Sequence, residues 1–451
     1  MKKQMKSPAG LTAALARLVA KTPSRLIPQV VREHAKVAFL DWLGCTLAGA
    51  RHPAVGKLIR YAEDLGGRRQ ASLIGLCLKK TAPQAALING TASHVIDYDD
   101  TSTVYIGHAS AGMLAALLAL AEWKGAGGRD FLDAHALAFR IANILGSAVG
   151  MAQYNAGWHT TSTIGHIASA AGCARLLGLG ERQTAYALGL AGTLSSGLKI
   201  VFGTMAKSFH AGNACRAGLS AALLAAEGFT CAEDFYEGAD GYLQVFGGDA
   251  PRSALRNPGE AWGFDTLAQK YHASCHFTHS AIESILAVVK KQSLLPEEIE
   301  AIEVYTSPLA LKAAGKREPK TALEGKFSLP YCAAIAVLRN DTGLGAFTDR
   351  KVRNASLQKF MKKIILVRDE GLSPMAARVA VQATGGGKYV HAADVFREIP
   401  PLPEKRSRIE AKFLGIATPL LGARRARRIV ERVGTLEEAK SLKDLVAATR
   451  F

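Results

Sequence analysis

Apolar residues recur at three- and four-residue spacing through most of the first 265 positions. That period puts them on one face of an α-helix. It predicts helices over residues 10–21, 28–50, 83–97, 109–124, 129–151, 164–178, 182–194 and 212–227. Glycine and polar runs such as KGAGGRD and LGLGERQ stand between these segments, as helix stops do. The texture changes near residue 266. IEVYT at 302–306 alternates, 364–367 is an apolar strand-like run, and RVAVQA at 378–383 reads as a further strand. TGGGKYV at 384–390 reads as the turn joining two antiparallel strands. Helical spacing occupies 278–291 and 329–338, and returns from about 406 to the end. The expectation is a mainly α protein. A large all-helical domain takes residues 1–265 with 406–451, and a smaller α+β domain takes 266–405.

Composition narrows the class. A chain of 451 residues is too long for one core, and 49% hydrophobic with 21% charged residues is a globular balance. The 44 glycines and the low aromatic share favour helices that approach closely. Seven cysteines at irregular spacing point to a reducing, cytoplasmic protein, not a disulfide scaffold. The start, MKKQMKSPAGLTAALARLVAKTPS, reads as an amphipathic first helix, because Arg17 breaks its apolar stretch. No apolar run reaches the roughly 20 residues of a membrane span, so no membrane partner is expected.

The net charge of +18 fits an anionic partner. Its densest cluster, ARRARR at 423–428, has an apolar face behind it and reads as a solvated helix face. Few aromatics are interleaved for base stacking, so nucleic acid is not expected. GGGK at 385–388 is not a phosphate-binding loop, since no Ser or Thr follows the lysine and no helix follows the turn. No GxGxxG follows a strand, so no nucleotide cofactor is expected.

Four polar islands interrupt the apolar helices. They are DYDDT at 97–101 with His108, GWHTTSTIGH at 157–166, GTMAKSFHAGNA at 203–214, and KYHASCHFTHSAI at 270–282. In the first, three carboxylates with a histidine close behind suit acid–base chemistry. The bland alternative makes Asp99 and Asp100 solvated helix N-caps. In the second, His159 precedes a helix whose Thr160, Thr161, Ser162 and Thr163 offer capping oxygens. In the third, Lys207 and His210 precede an apolar helix, where a cation is unfavourable unless an anion lies between. In the fourth, His272, Cys275, His276 and His279 have a spacing that could ligate zinc, but no second knuckle exists and no metal is expected. The inventory suits proton transfer next to a carboxylate, with elimination, addition, decarboxylation or isomerisation to follow.

The four islands, in this order, resemble the active-site segments of the MmgE/PrpD family, which includes 2-methylcitrate dehydratase, cis-aconitate decarboxylase and iminodisuccinate epimerase. DWLGCTLAGA at 41–50 and FSLPYCAA at 327–334 resemble further family segments. The resemblance implies a homodimer with the pocket between its two domains, and catalysis without metal or cofactor. It implies acid–base roles for His108 and His159, with Asp97 and Thr101 beside them. It implies that Lys207 and Lys270 hold substrate carboxylates, joined by His276 and by Tyr331 of the small domain. His276 stands where the family often has arginine, and an imidazole binds a carboxylate less strongly near neutral pH. The expected activity is a hydro-lyase acting on a small di- or tricarboxylate. An epimerase or decarboxylase is the alternative within the family, and a non-catalytic basic binding protein on an enzyme fold is the alternative outside it.

Overall fold

A computed structural model describes residues 10–248 and 262–451. The chain forms two compact units: Met1–Gln269 with Leu402–Phe451, and Lys270–Pro401. The first is helical and the second is α+β, which bears out the expected fold class.

Among the described residues, nine helices of eleven residues or more carry the first part of the helical unit: α1 (Leu11–Lys21), α2 (Gln29–Gly49), α3 (Pro53–Leu65), α4 (Ala82–His94), α5 (Leu114–Lys124), α6 (Gly128–Leu145), α7 (Thr160–Leu176), α8 (Glu181–Thr193) and α9 (Met205–Ala226). Their centre is α4, α7 and α9, which pack on small residues. A Cβ on Gly212 of α9 would lie 2.1 Å from the Leu87 carbonyl oxygen of α4, and one on Gly90 would lie 2.8 Å from the Gly212 Cα. A Cβ on Gly218 would lie 2.4 Å from Ser169 Cβ of α7. Only glycine permits such approaches, and they fix where the helix ends sit.

Several helix limits differ from the periodicity. α9 begins at Met205, not 212, because Thr204 Oγ1 accepts from the Ala206 N–H and caps it there. α7 begins at Thr160, so its threonines lie inside the first turn. α6 ends at Leu145 and passes into a π turn at Gly146–Gly150. The Tyr105 side chain packs against this turn, where a Cβ on Gly146 or Gly150 would fall 2.4 Å from it. The helical stretch Gly128–Asn155 is long and apolar enough to cross a membrane, but 78% of its most apolar window is buried in the protein, as in a core helix.

In the second unit, β1 (Ile299–Thr306), β2 (Ile364–Arg368), β3 (Ala376–Ala383) and β4 (Lys388–Asp394) form a sheet in the order β2-β1-β3-β4. β1 runs parallel to β2 and antiparallel to β3, and β4 returns antiparallel to β3 through the glycine turn. Gly386 takes φ +87° in that turn, a left-handed conformation that suits glycine. Ile302, Val304, Val379 and Val381 point to the buried face. α10 (His279–Gln292) packs on β3 and β4 and also meets α11 (Leu329–Arg339). The chain then returns to the helical unit as α12 (Leu402–Leu421) and α13 (Ala423–Gly434), and α12 packs along α2.

Candidate active site

The DYDDT segment leaves the C-terminus of α4 and enters a two-residue strand, Thr101–Ser102, paired with Leu267–Ala268. It is not a solvated cap. Asp99 is 0% exposed and Asp100 1%. Asp97 sits at φ 55° and Ile106 at φ 52°. An aspartate tolerates the left-handed region, but a β-branched isoleucine does so only where the surroundings impose it. They do so here through the first turn of α7. Thr160 Oγ1 donates to the Ile106 carbonyl at 3.2 Å, and the His108 N–H donates to Thr161 Oγ1 at 2.9 Å. The threonines thus tie down the loop that carries His108, and do not cap their own helix.

Asp99 is the hub. His94 Nδ1 lies 2.9 Å from Asp99 Oδ2, with both side chains sealed from solvent. His108 Nδ1 lies 3.1 Å from the same oxygen, and its ring is 4.3 Å from that of His94. Burial pushes the Asp99 carboxyl up, but the two imidazoles outweigh it and hold the group well below the usual carboxylate range. Burial also lowers His94 to about 4, against the pull of Asp99. The pair is therefore a carboxylate and a neutral imidazole. The neutral ring must carry its proton on Nδ1 to donate to Asp99, which leaves Nε2 with the lone pair.

In front of this sealed pair lie partly open groups. His108 Nε2 is 3.7 Å from Asp97 Oδ1, and Lys207 Nζ is 2.8 Å from the same oxygen. His108 is 12% exposed, Lys207 20% and Asp97 25%. Lys207 reaches Asp97 because α9 begins early, which places the lysine in the first helical turn beside the end of α4. Phe202 covers this corner. Its ring packs edge-on against His159 at 4.9 Å, and Lys207 Nζ lies 5.3 Å from its centroid.

His159 is the residue immediately before α7 and is buried. Its ring stacks 5.8 Å from His94, and its Nδ1 lies 3.1 Å from His210 Nδ1, so one of the two imidazoles donates to the other. Burial, followed by the charges of His94 and Lys207, pushes His159 well below its ordinary value. His166 donates from Nδ1 to the Ser162 carbonyl at 2.7 Å within α7, which is a packing role.

Beneath the loop lies a second buried system. Asp100 accepts from the Ser110 N–H at 3.1 Å and from the Ser110 hydroxyl. Burial, then the charge of Asp41, raises Asp100 to about 7. Two lysines of α12 prop this floor. Lys412 Nζ donates to the Tyr98 carbonyl at 2.6 Å and pairs with Asp41 at 2.5 Å. Lys405, which burial lowers to about 8, donates to the Phe264 and Leu267 carbonyls.

Asp97, His108, His159 and Lys207 therefore fall in one neighbourhood, with Thr101 buried in the strand below them. Lys270, His276 and Tyr331 belong to the second unit. Lys270 is its first residue and is 2% exposed. His276 packs edge-on to Phe396 at 5.0 Å. Tyr331 is fully buried, and its hydroxyl donates to the Ala346 carbonyl at 2.6 Å, so it packs in the second unit's own core. His272 is likewise engaged, with Nδ1 2.6 Å from Thr342 Oγ1 and Nε2 3.1 Å from Glu283.

His94 and Asp99 are candidate functional residues that periodicity missed. The signal was a histidine at a helix C-terminus five positions before a carboxylate, a spacing that means nothing until the intervening turn is known. One ligand atom from each of His94, Asp97, Asp99 and His108 lies within 4.8 Å of the others, so this group could hold a metal ion. Its two carboxylates already have partners, however. Asp99 serves two imidazoles, and the Lys207 ammonium stands against Asp97 where an ion would compete with it.

A buried carboxylate 3.1 Å from a partly open histidine, with a lysine beside them, is an arrangement that can hold and move protons. The MmgE/PrpD N-terminal domain matches residues 13–254 and the MmgE/PrpD C-terminal domain matches residues 272–438, so the chain belongs to the MmgE/PrpD family and is an enzyme of that type. It is 26% identical to a cis-aconitate decarboxylase-like protein of Aspergillus oryzae, over 97% of this chain and 96% of that protein. It is 23% identical to human cis-aconitate decarboxylase, over 90% and 88%. It is 23% identical to the mitochondrial 2-methylcitrate dehydratase of Yarrowia lipolytica, over 76% and 70%.

Proposed function

We propose that this chain is a lyase that moves a proton at a carbon next to a carboxylate of a small di- or tricarboxylate, without metal or cofactor. The observation that carries this reading is the 3.1 Å contact between Asp99 Oδ2 and His108 Nδ1. A carboxylate on Nδ1 makes Nε2 the working nitrogen and stabilises the imidazolium when that nitrogen holds a proton. Lys207 supplies a substrate carboxylate with an ammonium, which Asp97 neutralises in the free protein. His159, kept neutral by burial, is the second acid–base group.

Two lyase chemistries use these groups. Dehydration takes a proton from carbon and expels water. Decarboxylation expels carbon dioxide and returns a proton to carbon. The relatives named as cis-aconitate decarboxylases align over more of this chain than the dehydratase does, which supports decarboxylation as the first reaction to test. The protein would be incubated with cis-aconitate, 2-methylcitrate and related di- and tricarboxylates in deuterated water. Carbon dioxide release marks decarboxylation, and a new double bond without it marks dehydration. Deuterium gain alone marks an epimerase. No change in any compound would sink the proposal.

The same reading includes a homodimer in a reducing, cytoplasmic setting. Leu194, Leu198, Ile200, Phe202, Met205 and Phe209 are exposed apolar residues in and beside one loop, a patch that suits a second copy. All seven cysteines are free thiols, five of them buried. Sedimentation velocity of the wild type and of Ile200→Glu tests the dimer, which should dissociate in the variant.

A further inference from the structure

The second unit has a cavity of about 550 Å³ that the proton-transfer chemistry does not use. Its rim carries four cations, Arg317, Lys320, Arg353 and Lys362, against one acid, Glu318. Arg353 is paired with Asp349 at 3.1 Å. Arg317, Lys320 and Lys362 have no ion-pair partner among the described residues. Three uncompensated cations around one depression repel one another, an arrangement that an anion relieves. The floor is of opposite character: Pro319, Pro330 and Met361 are buried and apolar.

The rim is held in place before any ligand arrives. Glu324 accepts from the Lys320 N–H at 2.6 Å and the Thr321 N–H at 3.3 Å, and pairs with Lys316 at 2.6 Å. Asp349 accepts from the Ala322 N–H at 2.7 Å. The two nearby carboxylates are thus spent on fixing the loop of residues 316–322, which leaves its cations available. A loop backbone fixed in advance leaves only the side chains to be ordered when an anion binds. The volume lies within the range of small-molecule sites.

We propose that this cavity binds a ligand that joins several phosphates to a flat or apolar body, the chemistry of a nucleoside triphosphate. The phosphates meet Arg317, Lys320 and Lys362, and the body lies on Pro319, Pro330 and Met361. Arginine forks match phosphate oxygens, and the apolar floor adds affinity that charge alone does not give. No glycine-rich loop takes part, so the site is of a different kind from a phosphate-binding loop.

Titration calorimetry of the full chain with ATP, tripolyphosphate and adenosine tests this. ATP should bind saturably, one per chain, and at least about tenfold tighter than tripolyphosphate, with adenosine weakest. The double variant Arg317→Glu/Lys362→Glu should weaken ATP at least about tenfold while leaving the melting temperature and carboxylate turnover unchanged, since both side chains are exposed. Arg317→Ala should weaken it in the same direction, in case the double charge reversal disturbs folding. Lys207→Ala should leave ATP affinity unchanged. Absence of saturable ATP binding overturns the proposal. So does equal affinity for tripolyphosphate, which would make the rim a charged surface only. Loss of ATP binding in Lys207→Ala also overturns it, because the anion would then occupy the histidine group.

Discussion

Asp99 accepts a hydrogen bond from His94 at 2.9 Å, and neither side chain touches solvent. The same carboxylate faces His108, which is partly open. One buried charge therefore faces Nδ1 of two imidazoles. Replacing it with a neutral amide should be felt mainly in turnover. Asp99→Asn keeps the volume but removes the charge that holds the proton on His94 Nδ1 and that faces His108 Nδ1 at 3.1 Å. Turnover should fall by about 10²–10⁴, with substrate affinity changed much less. A variant that folds and turns over at the wild-type rate would remove Asp99 from the mechanism.

Lys207→Met should act on binding instead. A charge-assisted hydrogen bond to a carboxylate contributes about 1.5–3 kcal/mol, so the dissociation constant should rise at least about tenfold. The variant also leaves Asp97 without the ammonium that stands 2.8 Å from it. Adding Asp97→Asn should therefore recover stability but not affinity. Calorimetry with a non-reacting carboxylate analogue measures both variants, and unchanged affinity in both would move the anion contact elsewhere.

Chelation should leave activity intact. The two carboxylates of the group formed by His94, Asp97, Asp99 and His108 already have partners: Asp99 accepts from His94, and Asp97 pairs with Lys207, which an ion would have to displace. Activity lost after prolonged chelation and restored by zinc would show that an ion displaces Lys207 and completes the site.

Stability should fall on acidification. Burial holds His94 and His166 near 4 and His135 near 3, below the ordinary 6.5. Between those values the unfolded chain binds protons that the folded chain does not. Their contribution is thus whole above pH 6.5 and lost as the pH falls toward 4 and below. Asp100 works the other way. Burial raises it from 3.8 to about 7, so its contribution is whole below 3.8 and lost as the pH rises through 7. Each unbalanced proton changes stability by at most about 1.4 kcal/mol per pH unit. Thermal unfolding from pH 4 to 8 should show a falling acid limb that is steeper in Asp100→Asn, where the opposing group is gone. A flat profile, or a shallower one in the variant, counts against these assignments.

Gly212→Ala tests how the site is assembled. The new methyl would lie 2.1 Å from the Leu87 carbonyl oxygen and 2.4 Å from Thr91 Oγ1, so α4 and α9 must separate. Overpacking of this kind typically costs about 1–3 kcal/mol. Because α4 ends at His94 and α9 begins beside Lys207, the shift should also weaken substrate binding. Normal melting and normal kinetics together would show that the two helices do not need this approach.

Much was legible in the chain itself. A period of 3.6 marked the helical unit, alternation marked β1 and β3, and the glycine run marked the turn before β4, because each is a local property of side-chain spacing. The polar islands stood out because carboxylates and histidines are costly inside apolar helices, and their order carried the family resemblance. What the sequence alone determined was therefore the fold class, the family, and the candidates Asp97, His108, His159 and Lys207. Tertiary structure decided the rest. The early starts of α7 and α9 depend on where Thr160, Thr161 and Thr204 find partners, which spacing does not encode. Tyr331 packs in the second unit's core because its hydroxyl meets a carbonyl fifteen residues away. His94 and Asp99 entered it because a turn through left-handed Asp97 folds the carboxylate back onto the helix end. Periodicity says which face of a helix is buried, but not which group in another element will share that burial. The pairing of charges inside the core is the part of this protein that only packing could settle.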